Sequence, residues 1–211
     1  MRVSLALITF LPAALGHFIL NYPNSLGFDD DQEGTGPCGG FPITFNANDT
    51  NVTVGNFAVA SLSTHPQANW LFRATLSTQE PFNWTNILPI VSQSGLGNFC
   101  IPALSVPSNF VGQRGIIQVQ QDAVDGVLYQ CAAVNFVEGS DSSIPSACTN
   151  SSGVTATLTS QNAFSNTTTA SPSATASSSA TASQAASVRG TAPLNLIGGL
   201  IAILPVGFLL L

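Results

Sequence analysis

Residues 115–137, GIIQVQQDAVDGVLYQCAAVNFV, decide the fold class of this chain. Two runs within it, Gly115–Gln120 and Val127–Val137, are rich in β-branched and apolar residues. Between them lies a polar turn, Gln121–Gly126. Such runs suit a pleated, half-buried surface, and neither carries the 3.6-residue period of a helix. Working outward, Ile43–Asn46, Asn51–Val59 and Asn69–Leu76 show the same character, with Gly- and Pro-containing turns between them. About seven short strands separated by turns every ten or so residues predict an all-β fold, an immunoglobulin-like antiparallel β-sandwich. Trp70 and Trp84 lie in or near strands and are read as core aromatics.

The flanks of this domain read differently. The chain has 211 residues, of which 7% are charged, with no lysine and a formal net charge of −6. That balance excludes nucleic-acid binding and disfavours anionic membrane surfaces, because nothing here neutralises a run of phosphates. Residues 1–16, MRVSLALITFLPAALG, form a basic start, an apolar stretch and a small-residue ending, the pattern of a secretory signal peptide cleaved before His17. At the other end, LNLIGGLIAILPVGFLLL (194–211) follows a polar spacer and the small-residue cluster Ala182–Ser187. This is the pattern of a GPI-attachment signal, with Ser183 or else Ala185 as the attachment residue. Residues 151–192 contain 20 Ser or Thr, too polar to offset the entropy of ordering, and read as a disordered, O-glycosylated stalk. Five Asn-x-Ser/Thr sequons begin at Asn48, Asn51, Asn83, Asn150 and Asn166. The expected organisation is a signal peptide (1–16), a β-sandwich domain (17–150), a stalk (151–187) with lipid attachment near 183–187, and a removed propeptide (188–211). The expected location is the extracellular face of the plasma membrane or the cell wall.

All four cysteines, Cys38, Cys100, Cys131 and Cys148, fall within 17–150. An even count in a secreted domain implies two disulfides with three possible connectivities. No CxxC pair supports a zinc site. Closing the chain ends together favours Cys38–Cys148, with Cys100–Cys131 inside.

The two histidines carry the chemistry. Cleavage before His17 makes it N-terminal, so its α-amine and imidazole Nδ1 close a chelate ring on one metal ion. His65, in Thr64-His65-Pro66 just before a strand, adds a second imidazole. Three nitrogens in a T suit tetragonal Cu(II), which tops the affinity order for such sites. A lone His beside a Pro is ordinarily a solvent-exposed residue; a terminal His created by processing is not an ordinary occurrence. The acidic run Asp29–Asp31 with Glu33 lacks the spacing of a calcium loop and reads as a solvated loop. No GxSxG, P-loop or HExxH motif is present.

Together with His17 and His65, the segments Pro37-Cys38-Gly39-Gly40 and Asp125-Gly126-Val127-Leu128-Tyr129-Gln130-Cys131-Ala132 resemble the fungal LPMO-like copper-binding family. These are GPI-anchored histidine-brace proteins of the copper-acquisition type. The resemblance covers roughly residues 17–150. It implies one Cu(2+) per domain, held by His17, His65 and a carboxylate, without polysaccharide-cleaving activity. Asp125 is the carboxylate that matches; Asp122, three residues earlier, is the other candidate, and for either the bland role is a turn residue capping its own backbone. A charged oxygen ligand stabilises Cu(II) and occupies space that an oxygen-activating enzyme leaves open. The expected function is cell-surface copper(II) capture or homeostasis. A membrane copper transporter and cell-wall glycans are the further partners this reading admits. The competing readings are a copper-dependent lytic polysaccharide monooxygenase and a structural cell-wall glycoprotein.

Overall fold

The computed structural model describes residues 16–159 and residue 164. Residues 1–15 of the expected signal segment, most of the expected stalk, Asn166, Ser183 and the apolar tail lie outside the described residues. The start of the expected stalk is instead folded: Thr155–Leu158 forms a strand paired antiparallel with Val91–Ser94. Among the described residues the structure is all β apart from one 3-10 turn, Ser108–Phe110, and no helix is long and apolar enough to cross a membrane.

Two sheets face each other. The smaller contains β1 (Phe18–Tyr22), β3 (Phe57–Ser63) and β7 (Gly97–Leu104) in the order β1-β3-β7. The larger contains β2 (Thr50–Thr53), β4 (Gln67–Thr75), β6 (Val91–Ser94), β8 (Arg114–Ala123), β9 (Gly126–Val137) and β10 (Thr155–Leu158). Its order is β10-β6-β4-β8-β9-β2, and the two-residue β5 (Thr85–Asn86) pairs with β4. All ladders are antiparallel except that of β2 with β9.

Side-chain alternation explains the layers. Ile117 and Val119 of β8 and Ala132, Val134 and Phe136 of β9 point between the sheets, where they join Phe18, Phe57, Trp70, Phe72 and Phe99 in the main core. Trp70 is fully buried, with Phe99 at 4.8 Å and Phe18 at 5.2 Å between ring centroids. Burying one such aromatic contributes on the order of 2–3 kcal/mol. The alternate residues of β8 and β9 face outward under the segment between β1 and β2. There Cys38, Ile116, Cys131 and Ala133 form a second small core with Leu26, Ile43, Phe45 and Trp84.

This second core corrects three expectations. Ile43–Asn46 is not a strand: Phe41, Ile43 and Phe45 alternate in burial as strand residues do, but the segment lies over the sheet and joins no ladder. Trp84 is half-buried, outside the main core, with the Arg73 guanidinium 4.6 Å from its ring centroid. Asn51–Val59 is two strands in different sheets. Gly55 makes the crossover by approaching Gly139 closely: its N–H donates to the Gly139 carbonyl at 2.9 Å, and a Cβ there would lie 2.7 Å from that oxygen.

The disulfides also pair otherwise than expected, Cys38 with Cys131 and Cys100 with Cys148. Cys131 projects from the outer face of β9, directly beneath the segment bearing Cys38. Cys100 sits in β7, and the chain after β9 returns along that edge, where Asn150 Oδ1 accepts from the Cys100 N–H at 2.8 Å and the Ser151 N–H donates to the Asn98 carbonyl at 2.9 Å. Loop length gave the wrong pairing because the two ends of the domain lie against different sheets.

Candidate metal centre

One pole of the sandwich gathers the start of β1, the β3–β4 connection and the β8–β9 turn. His65 lies in the middle of these, between β3 and β4, where Pro66 after it disfavours helical backbone. The side chain is 3% exposed, buried where a surface residue was the ordinary expectation. Its Nδ1 is 2.7 Å from Gln121 Oε1 and its Nε2 is 2.7 Å from Asp125 Oδ1. Both ring nitrogens therefore face side-chain oxygens. Gln121 is itself held by donating to Ser63 Oγ at 2.8 Å.

Asp125 stands in the turn that joins β8 to β9, with its side chain 12% exposed. Burial pushes its carboxyl up, but the His65 hydrogen bond, the backbone N–H of Gly16 and the nearby imidazole outweigh that, leaving it below the usual carboxylate value. The Gly16 N–H donates to Asp125 Oδ2 at 2.8 Å. Asp122 is displaced from this cluster. It pairs across the ladders with Asn69 and Val127, burial raises its carboxyl, and it lines a polar cleft of about 420 Å³ with Gln67, Asn69, Ser92 and Ser94. Of the two carboxylates, Asp125 is the one that meets the imidazole.

His17 is the neighbour of this pair rather than a member of it. Its N–H donates to Thr64 Oγ1 at 2.8 Å, while its carbonyl accepts from the Thr64 N–H at 3.0 Å and from Thr64 Oγ1 at 3.0 Å. Its imidazole lies against Phe28, with Nδ1 3.3 Å from Asp30 Oδ1. Among the described residues no three of His, Cys, Asp and Glu converge on one point. The residue that fills the gap is Gly16. It packs on the edge of the His65 ring so closely that a Cβ there would lie 2.6 Å from Cδ2 and 2.7 Å from Cε1. Gly16 thus contacts both His65 and Asp125, and it is the residue that cleavage before His17 removes.

The acidic segment beside the site divides. Asp29, Asp30 and Asp31 are exposed as expected, but Glu33 is 1% exposed. Burial raises its carboxyl to about 7, opposed by hydrogen bonds from Gln130 and Phe18 and reinforced by Asp30 and Asp125. Glu33, Gln121 and Gln130 were not singled out from the sequence. For the glutamines a signal was present. Gln121 continues the inward alternation of Ile117 and Val119, and Gln130 that of Ala132 and Val134. A polar amide at an inward strand position needs a buried partner. Glu33 left no such mark, because it follows three exposed aspartates in an irregular segment.

Residues 15–153 match the family profile described as copper acquisition factor BIM1-like. Among curated relatives, the lytic polysaccharide monooxygenase-like protein X325 of Yarrowia lipolytica is 34% identical over 167 residues, covering 72% of this chain and 61% of that protein. Copper acquisition factor BIM1 of Cryptococcus neoformans var. grubii is 30% identical over 161 residues, covering 70% and 72%. An uncharacterised Aspergillus fumigatus protein is 30% identical over 158 residues, covering 71% and 65%. The match spans just under two thirds of the Aspergillus and Yarrowia relatives' own length.

Proposed function

The chain belongs to the BIM1-like copper acquisition factor family, and from that premise we propose that its mature domain captures copper(II) at the cell surface. The ligands are the His17 amine and imidazole, the His65 imidazole and the Asp125 carboxylate. One observation carries this reading: the buried His65 ring and the Asp125 carboxylate meet at 2.7 Å, and the residue seated against both is Gly16. Cutting the chain before His17 vacates that seat and frees an amine beside it. The resulting set of nitrogens and one carboxylate oxygen suits tetragonal Cu(II). Copper here is cargo, and the chemistry it brings is Lewis acidity matched to those donors.

The chain's own residues then have separate tasks. Gln121 accepts from His65 Nδ1, which leaves Nε2 as the metal-facing nitrogen once its proton is lost. Thr64 clasps the His17 backbone. Asp125 supplies charge without needing protonation chemistry of its own. Binding must displace protons from the amine and the imidazoles, so affinity falls as pH drops.

The remaining features are part of the same proposal. Residues 1–16 act as a secretory signal, the folded chain from His17 through the strand Thr155–Leu158 as the copper domain, and the Ser/Thr-rich segment after it to 187 as a stalk, with a GPI anchor near Ser183 replacing residues 188–211. Four sequon asparagines, Asn48, Asn51, Asn83 and Asn150, are exposed on the domain, as glycosylation requires. A non-catalytic role follows from the carboxylate in the ligand set.

The test compares the domain beginning at His17 with the same domain carrying Gly16 ahead of it. The first is expected to bind one Cu(II) tightly, and the second to lose that tight binding. Equal affinity in both would refute the terminal-amine reading. Release of soluble oligosaccharide from cell-wall polysaccharide in the presence of a reductant would move the function to the monooxygenase class.

A further inference from the structure

β1 is an edge strand. One side pairs with β3; among the described residues the other side pairs with no strand. Two side chains take the place of one. Glu33 accepts from the Phe18 N–H at 3.3 Å and 3.4 Å through its two oxygens. Gln130 Oε1 accepts from the Leu20 N–H at 3.0 Å, and Gln130 Nε2 donates to the Phe18 carbonyl. The pair is locked together, since Gln130 Nε2 also donates to Glu33 Oε1 at 2.9 Å. The Glu33 backbone is tied to β9, where its carbonyl accepts from the Tyr129 N–H at 2.8 Å. Glu33 and Gln130 are each 1% exposed.

Two physical facts give this arrangement a consequence. A chain terminus frays unless both edges are held, and here the second edge is held one residue after His17. A buried carboxylate also needs a positive partner, yet neither described arginine reaches Glu33: Arg73 stacks on Trp84, and Arg114 pairs with Asp49 at 3.5 Å. The charged groups that bear on Glu33 are Asp30 and Asp125, both acidic. A buried carboxyl without a basic partner among the described residues, set among acids and one residue from the position of the freed amine, is a place built to receive a cation.

We infer that Glu33, braced by Gln130, is a positioning residue of the copper centre. It holds the first strand so that the His17 amine is aimed, and its buried charge favours Cu(II) over Cu(I). This rests on the copper reading of the His17 site. It assigns a role to a residue that contributes no ligand.

The experiment uses the mature protein and two variants, Glu33→Gln and Glu33→Ala. Cu(II) and Cu(I) affinities are measured by competition with chelators of each ion, alongside the electron paramagnetic resonance spectrum of the Cu(II) form. Glu33→Gln keeps an acceptor for the Phe18 N–H and nearly the same shape, so it folds. It is expected to retain the wild-type spectrum, and to lose Cu(II) affinity by about tenfold but Cu(I) affinity by only about threefold, because a fixed charge acts half as strongly on the singly charged ion. The affinity ratio then falls by about threefold, about 30 mV in a one-electron potential. Glu33→Ala also loses the strand bracket, and its spectrum is expected to depart from the wild type. An unchanged Cu(II)-to-Cu(I) affinity ratio in Glu33→Gln overturns the charge role. A wild-type spectrum and affinity in Glu33→Ala overturn the positioning role. A wild-type protein that takes up no copper overturns the copper reading itself, and this inference with it.

Discussion

Replacing Gln121 by Leu isolates the bond that orients His65. The side chain is fully buried and makes two hydrogen bonds, accepting at 2.7 Å from His65 Nδ1 and donating at 2.8 Å to Ser63 Oγ. Leucine has nearly the same volume, so the packing change is small. The loss is polar. Ser63 Oγ keeps its contacts with the His65 backbone, at 3.3 Å to the N–H and 3.4 Å to the carbonyl, but the buried Nδ1–H is left without a partner. That costs about 2 kcal/mol, which lowers the melting temperature of a domain this size by about 8 °C. For the metal the effect has a different origin. Without an acceptor at Nδ1 the ring no longer prefers the tautomer that leaves Nε2 free, and loss of such an orienting partner lowers metal affinity by about 10- to 100-fold. The assay pairs a thermal melt with a competition titration against a chromophoric copper chelator, both on the domain beginning at His17. Ser63→Ala is the control: it removes a partner of Gln121 but not the acceptor of His65, and should bind copper within about twofold of wild type. A folded Gln121→Leu with unchanged copper affinity would refute the orienting role and the assignment of Nε2 as ligand.

Three further outcomes follow from the same geometry. Glu33 titrates at about 7 in the folded chain against an ordinary 4.5, so between those values the native state binds more protons than the unfolded one and stability falls as pH rises, by about 3 kcal/mol in all, then levels off above 7. Denaturant melts of the metal-free uncut chain at pH 4.5 and 7.5 should show that fall, and Glu33→Gln should reduce it, leaving the part due to the raised Asp122 carboxyl; an identical slope in both would contradict the burial argument. Asp125 acts in the opposite sense: its lowered carboxyl contributes stability above the ordinary carboxylate range that is lost only as pH falls below it, and Asp125→Asn should flatten the acid limb of the same melts. Peptide mapping without reduction should recover Cys38 linked to Cys131 and Cys100 linked to Cys148, and removing the first bridge, which closes a 93-residue separation, should cost about 4–5 kcal/mol.

How much of this was legible in the sequence depends on the kind of signal. Strands whose two faces differ were readable: β8 and β9 show their apolar runs and their turn directly in residues 115–137. Ile43–Asn46 misled because a segment lying on a sheet alternates in burial as a strand does. The disulfides were beyond loop-closure reasoning because pairing depends on which sheet each cysteine faces. At the site, His65 and Asp125 were legible as residue types in a recurring pattern, and the structure brings them together. The burial of His65 was not, since it depends on three connections meeting at one pole. Glu33 was read as part of a solvated loop and is instead the partner of the first strand's free edge. Its role is long-range, set by β1 and β9, and nothing within its own segment reports it.

On the proposed reading, the mature chain holds copper through three nitrogens and the Asp125 carboxylate. Electron paramagnetic resonance of the domain beginning at His17, loaded with one equivalent of Cu(II), tests it most directly. A tetragonal spectrum with superhyperfine coupling to three nitrogens, reduced in nitrogen count by His65→Ala, is the predicted result. A spectrum of aqueous or all-oxygen copper, or one that His65→Ala leaves unchanged, would contradict the account.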